Sequence, residues 1–100
     1  MAAFNPGQLL ELLQCDLQMG PGLPPETMTY LQNLLGLADA LIKREGIHLT
    51  DSIEDNNLRV MYAAYLYRKR ASPETAMPRM LRYALNNRKF GEKPEEGSDT

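Results

Sequence analysis

Residues 51–70 read DSIEDNNLRVMYAAYLYRKR, and this stretch decides the fold that the sequence predicts. Asp51 or Ser52 can cap the start of a helix, and Glu54 and Asp55 stand where carboxylates stabilise its positive end. The apolar residues that follow recur at the i, i+3, i+4, i+7 spacing of one helix face, and eight consecutive residues carry no charge. A helix that is apolar most of the way round packs against neighbours on several sides. We therefore predict that this is the central helix of an all-α protein.

Two other patterns predict helices before the central one. The first begins with Asn5 as a cap and is ended by the glycine- and proline-rich segment 19–25. The second runs from about Pro25 to Glu45, and Gly46 is typical of a helix stop. Only four residues, 47–50, connect it to the central helix, which favours an antiparallel pair.

After the central helix we predict a loop from Ala71 to Met77. A last helix then runs from Pro78 to about Lys89 and is ended by Gly91. We expect its inner face to consist of Met77, Met80, Leu81, Ala84 and Leu85, and its outer face to carry Arg79, Arg82 and Arg88.

The last ten residues, GEKPEEGSDT, include no large apolar side chain, so we predict a disordered acidic tail over residues 91–100. The expected architecture is a single all-α domain in residues 1–90. It is a small helical bundle of three to four helices with an antiparallel central helix pair.

The composition and motifs of the sequence argue against a catalytic function. The single cysteine, Cys15, cannot form an internal disulfide, and no third orienting group accompanies it and His48 as a nucleophilic pair would need. The sequence has no glycine-rich phosphate loop and no metal-ligand spacing. No apolar run approaches the roughly 18–20 residues that cross a membrane, and the N-terminus lacks a signal-peptide layout. We expect a soluble protein made in the cytoplasm, without catalytic residues, cofactor or metal.

Charge is distributed unevenly along the chain. Residues 1–57 contain two basic and eight acidic residues, a net charge of −6, whereas residues 58–90 contain eight basic residues and only Glu74, a net charge of +7. Three interpretations are open: compensation within the molecule, nucleic-acid binding by the basic half, or contacts between copies. The candidate assembly or partner contacts are Arg59, Arg68, Lys69, Arg70, Arg79, Arg82 and Arg88.

A resemblance favours the third interpretation. Residues 52–70, SIEDNNLRVMYAAYLYRKR, followed by residues 76–90, AMPRMLRYALNNRKF, resemble the small head–tail connector proteins of tailed bacteriophages and prophages, also called head-completion adaptors. The segment LLELLQCDL at 9–17 and the helix ending in KREGI at 43–47 occur in the order expected of that group. The resemblance covers roughly residues 8–90.

The resemblance implies a virion structural protein that acts at the head–tail interface. Such a protein forms a homo-oligomeric ring beneath the portal protein and bridges it to stopper or tail-completion proteins, while DNA passes through the lumen without being read. It implies no membrane partner and synthesis in the bacterial host cytoplasm. The alternative is a small helical DNA-binding or DNA-packaging-associated phage protein, to which the basic half would contribute phosphate contacts.

Overall fold

The computed structural model describes residues 6–20 and 22–96, with side chains over 7–20 and 22–91. Within these residues the chain forms helices and no strand. The helices are α1 (Pro6–Asp16), α2 (Pro25–Arg44), α3 (Ile53–Ala71) and α4 (Arg79–Glu96). The predicted all-α bundle is therefore confirmed. The predicted cap at Asn5 and the tail residues 97–100 lie outside the described residues.

Helix α3 is the central helix, as predicted. It packs against each of the other three helices and most extensively against α2. Ser52 caps its start, because the Ser52 hydroxyl accepts a hydrogen bond of 3.1 Å from the backbone N–H of Asp55. The Asp55 carboxylate reaches back past this cap to Thr50, whose backbone N–H and hydroxyl both donate to it at 2.8 Å. The start of α3 is thus joined to the connection that precedes it.

Contacts between neighbouring helices show that they run antiparallel. The Asp39–Arg59 ion pair and the Tyr30–Tyr67 ring contact join α2 to α3, and the residue number falls along α2 as it rises along α3. The predicted antiparallel central pair is confirmed. The Asp55–Arg88 ion pair lies near the start of α3 and well along α4, and the loop 72–78 joins the opposite ends of these two helices. Helix α4 therefore also runs antiparallel to α3.

The core is built from one face each of α1, α2 and α4 and from several sides of α3. Ala63 and Ala64 are 0% and 1% exposed, and such small side chains allow neighbouring helices to approach α3 closely. The buried apolar residues are Leu10, Leu13, Leu31, Leu34, Ala38, Ile42, Ile47, Leu58, Val60, Tyr62, Ala63, Ala64, Leu81 and Leu85.

Two residues with positive φ end the first two helices. Gly46, which follows the C-cap residue Glu45 of α2, has a φ of 94°, and this confirms the predicted stop. The turn after α1 places Gln18 at a φ of 60°, with hydrogen bonds from Gln18 N–H to the Cys15 carbonyl and from Met19 N–H to the Gln14 carbonyl. This is a Schellman motif with a glutamine where glycine is the usual choice.

The prediction for α4 was correct at its start and wrong at its end. The Pro78 carbonyl accepts a hydrogen bond of 3.1 Å from Arg82 N–H, so the helix begins where the proline indicated. It then continues through Gly91 to Glu96, so residues 91–96, which the sequence analysis assigned to the tail, extend the helix. A glycine inside a helix costs only about 1 kcal/mol relative to alanine, so Gly91 alone does not end α4.

The predicted faces of α4 also need correction. Met80 is 74% exposed rather than inward, while Leu81 and Leu85 are buried as predicted. Arg88 was expected outside, but its side chain is only 17% exposed. Residues 81, 85 and 88 form one row at i, i+4 and i+7, and this row meets α3. Arg82, which was also expected on the outer face, forms an ion pair with Glu45.

Candidate assembly surfaces

Arg88, a candidate assembly contact, is held inside the molecule by Asp55. The guanidinium donates to both oxygens of Asp55, at 2.7 and 3.1 Å, and also to the backbone carbonyl of His48 at 2.7 Å. Asp55 is 1% exposed. Burial by itself would raise the pKa of Asp55, but the hydrogen bonds from Arg88 and Thr50 outweigh it and hold the pKa below its ordinary value. This pair fastens α4 to the start of α3.

Arg59 is also committed to an internal partner. Its Nε lies 2.8 Å from the Asp39 carboxylate, its Nη1 donates to the Thr50 carbonyl at 2.8 Å, and its side chain is 13% exposed. It also donates to the side-chain oxygen of Asn56, which is 1% exposed. Burial acts to raise the pKa of Asp39, but the bonds from Arg59 and Lys43 dominate and lower it. Thr50 thus links the Arg59 and Asp55 clusters into one polar network.

Arg82 and Lys89 converge on Glu45, the residue that follows α2. The two Arg82 guanidinium nitrogens lie 3.2 and 3.3 Å from the Glu45 oxygens, and Lys89 Nζ lies 3.2 Å from one of them. The Arg82 bond is the main reason that the pKa of Glu45 is lowered, against the opposing effect of burial, and Lys89 adds to it. Arg82 and Lys89 remain about two-fifths exposed, so water screens this cluster more than the Asp55 pair.

The remaining candidates lie at the surface. The basic cluster, defined as Arg68, Lys69 and Arg70, occupies the last turn of α3 and all three residues are exposed. Arg68 donates to the Asp16 carbonyl at 3.0 Å, and the Arg70 guanidinium lies 5.0 Å from the centroid of the Tyr30 ring. Arg79 is exposed at the first residue of α4.

The structure therefore divides the seven candidates. Arg59, Arg82 and Arg88 bind carboxylates of the acidic half, which is the compensation that the charge distribution left open as its first interpretation. They are not available as free contacts for a partner. Arg68, Lys69, Arg70 and Arg79 are exposed, at the end of α3 and the start of α4, on either side of the loop 72–78.

A second surface was missed by the sequence analysis. Helix α4 exposes Met80, Tyr83 and Phe90 at 74%, 60% and 72%. At 100° per residue, Tyr83 and Phe90 fall on the side of α4 opposite Leu81 and Leu85, and Met80 lies at the edge of that side, next to Ala84 and Asn87. Beside them, a groove of ≈ 460 Å³ runs between α3 and α4, lined by Ile53, Glu54, Asn57, Leu58, Met61, Ala84 and Asn87. The signal was present as two apolar rows on one helix, of which only one can face the bundle.

In the part of the chain that the structure describes, no group of three His, Cys, Asp or Glu side chains is arranged to hold a metal ion. Cys15 is exposed on α1 and His48 lies in the connection between α2 and α3. No helix among the described residues combines the length and hydrophobicity that a membrane span requires.

Comparison of the chain with protein-family models, with curated proteins and with solved structures finds no match in any of the three.

Proposed function

We propose that this chain is a virion structural protein, a ring-forming adaptor that joins the portal of a tailed bacteriophage or prophage to its stopper or tail components. The observation that carries the proposal is the basic cluster. Arg59, Arg82, Arg88 and Lys89 bind carboxylates of the acidic half. Three consecutive cations, by contrast, are exposed side by side at the end of the central helix, although Arg68 among them also contacts Asp16. The resemblance of residues 52–70 and 76–90 to head–tail connectors supplies the kind of partner.

In this proposal the basic cluster meets an acidic surface on the next copy or on the portal. Glu11 on α1 and Glu26 on α2 are exposed acids on the opposite half of the sequence. A contact between two different surfaces of the same chain is heterologous, and it closes into a ring when the rotation between copies permits. DNA crosses the lumen of that ring without base contacts, and the protein carries out no reaction.

The test is a pull-down on assembled portal with the triple variant R68E/K69E/R70E, at low and at high ionic strength. Exposed charge pairs are screened over about 10 Å at 0.1 M salt, so wild-type binding should weaken as salt rises and the triple variant should bind little at any salt. Arg44 provides the matched control, because it is an equally exposed cation in the last turn of α2. R44E should bind like wild type, and undiminished binding by the triple variant would refute the electrostatic contact.

The alternative, a small helical DNA-binding or packaging-associated protein, is supported by the same exposed cluster. Few exposed cations of the basic half are left to contact phosphates, however, because Arg59, Arg82 and Arg88 bind internal carboxylates. Non-specific DNA binding depends on the number of phosphates that a protein neutralises. Two measurements distinguish the two functions: binding to portal supports the adaptor, and binding to duplex DNA supports the alternative.

A further inference from the structure

We infer that the apolar face of α4 is a self-association surface, on which a second copy of this chain packs with its own α4 antiparallel to the first. The face comprises Met80, Tyr83 and Phe90 together with the adjoining α3–α4 groove. This contact would form between isolated copies of the chain and involves no residue of the basic cluster. It can therefore be tested separately from the proposed function.

The face is large and apolar for a surface that contacts only water. Three large side chains on one side of α4 are at least three-fifths exposed, and Ile53, at the edge of the groove, is 61% exposed. Leu37, at 48%, is the other strongly exposed large apolar residue among those described, and it lies alone on α2. Met80 and Tyr83 are neighbours at i and i+3, and Phe90 lies two turns beyond Tyr83, so these residues form a row along one side of the helix. Single scattered apolar residues are ordinary on a surface, whereas grouped ones indicate an interaction surface.

Charge at the two ends of the face indicates a second copy as the occupant. Arg79 begins α4 directly before Met80, and Glu54 lines the groove near the other end of the face, opposite Asn87. Residues 79 and 90 are separated by roughly 16 Å along the helix. When a second copy is turned by 180° about an axis through the middle of the face, each Arg79 lies over the Glu54 end of its neighbour.

A surface with an apolar centre and oppositely charged ends is thus complementary to itself under a twofold rotation. This is the requirement for an isologous contact, in which the same patch is used by both subunits. The end of the chain is a poor alternative occupant, because the sequence GEKPEEGSDT offers no large apolar residue to fill the groove. With only three large exposed apolar side chains on α4 and the adjoining groove to bury, we expect reversible rather than permanent association.

Sedimentation equilibrium of the full chain, from roughly 5 to 500 µM, measures this association. Wild type should show a monomer–dimer equilibrium. Tyr83→Lys should raise the dissociation constant roughly tenfold or more, because it places a charge at the apolar centre. Leu37→Lys is the matched control, with the same substitution at a similarly exposed position outside the face, and it should leave the constant unchanged. Both variants should keep the wild-type circular dichroism and thermal midpoint.

The orientation is tested by charge exchange and by cross-linking. Arg79→Glu and Glu54→Arg should each weaken association, and the double variant R79E/E54R should restore it. In the background C15S, the substitution Asn87→Cys places one thiol on the face, roughly 4–6 Å along α4 from the proposed twofold axis. A bis-maleimide reagent long enough to bridge two such positions should link two copies in high yield.

Three results would overturn the inference. The first is a wild-type chain that remains monomeric at the highest concentration, which would assign the face to a different occupant such as residues 1–5 or another protein. The second is a Leu37→Lys variant that weakens association as much as Tyr83→Lys. The third is a dimer in which residue 87 cannot be cross-linked to its counterpart. Portal binding is unaffected by any of these outcomes, so failure here is distinguishable from failure of the proposed function.

Discussion

At the scale of single residues, Asp55 is a buried carboxylate that joins the start of α3 both to α4 and to the connection before α3. It accepts hydrogen bonds from Arg88 and Thr50, and it is 1% exposed. A buried ion pair contributes little relative to an apolar alternative, but removing one partner leaves an uncompensated charge in a low-dielectric site. The pair therefore makes α4 dependent on a single carboxylate at the start of α3.

We expect Asp55→Ala to lower the free energy of unfolding by about 3 kcal/mol, at the lower end of the losses measured when one member of a buried ion pair is removed. Urea denaturation followed by circular dichroism measures the change. Glu54→Ala provides the control, because Glu54 is the exposed neighbouring acid on the same turn and should cost under about 1 kcal/mol. Equal costs for the two variants would show that burial of Asp55 has no energetic consequence.

The lowered pKa values of Asp39, Glu45 and Asp55 predict how stability depends on pH. A carboxyl whose folded-state pKa is depressed stabilises the fold above its unfolded-state pKa, and this stabilisation is lost as pH falls through the folded-state pKa. Stability should thus be level from neutral pH to about 5 and fall below about 4, where unfolded carboxyls titrate. Denaturation midpoints between pH 3 and 7 test this, and D55N should show a shallower acid loss than wild type.

At the scale of the helices, the end of α2 depends on backbone conformation rather than on side-chain contacts. Gly46 has a φ of 94°, and a Cβ there would meet nothing within 4 Å. Any cost of replacing this glycine therefore comes from forcing an L-residue into the left-handed region, which costs roughly 1–2 kcal/mol.

The same substitution within α2 should have the opposite effect. Gly36 lies in the middle of the helix, and a Cβ there also meets nothing within 4 Å. Gly46→Ala should destabilise the protein by about 1 kcal/mol, and Gly36→Ala should stabilise it by about 0.5–1 kcal/mol through helix propensity. Thermal unfolding of the two variants side by side is the measurement. Shifts of the same sign would contradict the assigned end of α2.

Helix α4 has two apolar faces with different tasks, and stability should distinguish them. Leu85 is 0% exposed against α3, whereas Met80 is 74% exposed. Leu85→Ala should cost about 2–5 kcal/mol, because it leaves a cavity in the core, and Met80→Ala should cost less than about 0.5 kcal/mol. Both are measured by chemical denaturation at low protein concentration, where self-association does not contribute. A large cost at Met80 would mean that the exposed face is covered within the monomer.

At the scale of the whole molecule, folding brings acidic residues of the first half into ion pairs with basic residues of the second half. Acidic residues of the first half, Asp16, Asp39, Glu45 and Asp55, pair with cations of the second half. The net charges of −6 and +7 consequently do not correspond to two broad surfaces of opposite sign. The cations of the second half that remain exposed to a partner are Lys69, Arg70 and Arg79, together with Arg68, whose side chain is still 50% exposed beside Asp16.

This internal pairing limits how strongly the protein can bind DNA. Four exposed cations near one end of the molecule can neutralise at most about four phosphates, so the slope of log K against log salt should be no steeper than about −4. Binding to duplex DNA, measured by fluorescence anisotropy between 50 and 300 mM salt, provides the slope. A slope of −6 or steeper would show that the internal arginines are released to the DNA, and it would favour the DNA-binding alternative.

The helical architecture was predictable from the sequence because its signals are local. The Ser52 cap, the apolar periodicity of residues 58–66 and the Gly46 stop each specify one helix or one boundary through contacts within a few residues. The connection between α2 and α3, expected at residues 47–50 and found at 45–52, is short enough to favour the antiparallel pairing of two long helices.

The tertiary structure alone decided which face of α4 is buried and which arginines are free. Residues 80, 83 and 90 and residues 81 and 85 form two apolar rows on one helix, and only packing against α3 selects between them. The partners of Arg88 and Arg82, Asp55 and Glu45, lie more than thirty residues away in the chain, beyond the reach of any local pattern. A cation on a helix looks the same in sequence whether it faces water or a buried carboxylate, because its partner is brought to it only by the fold.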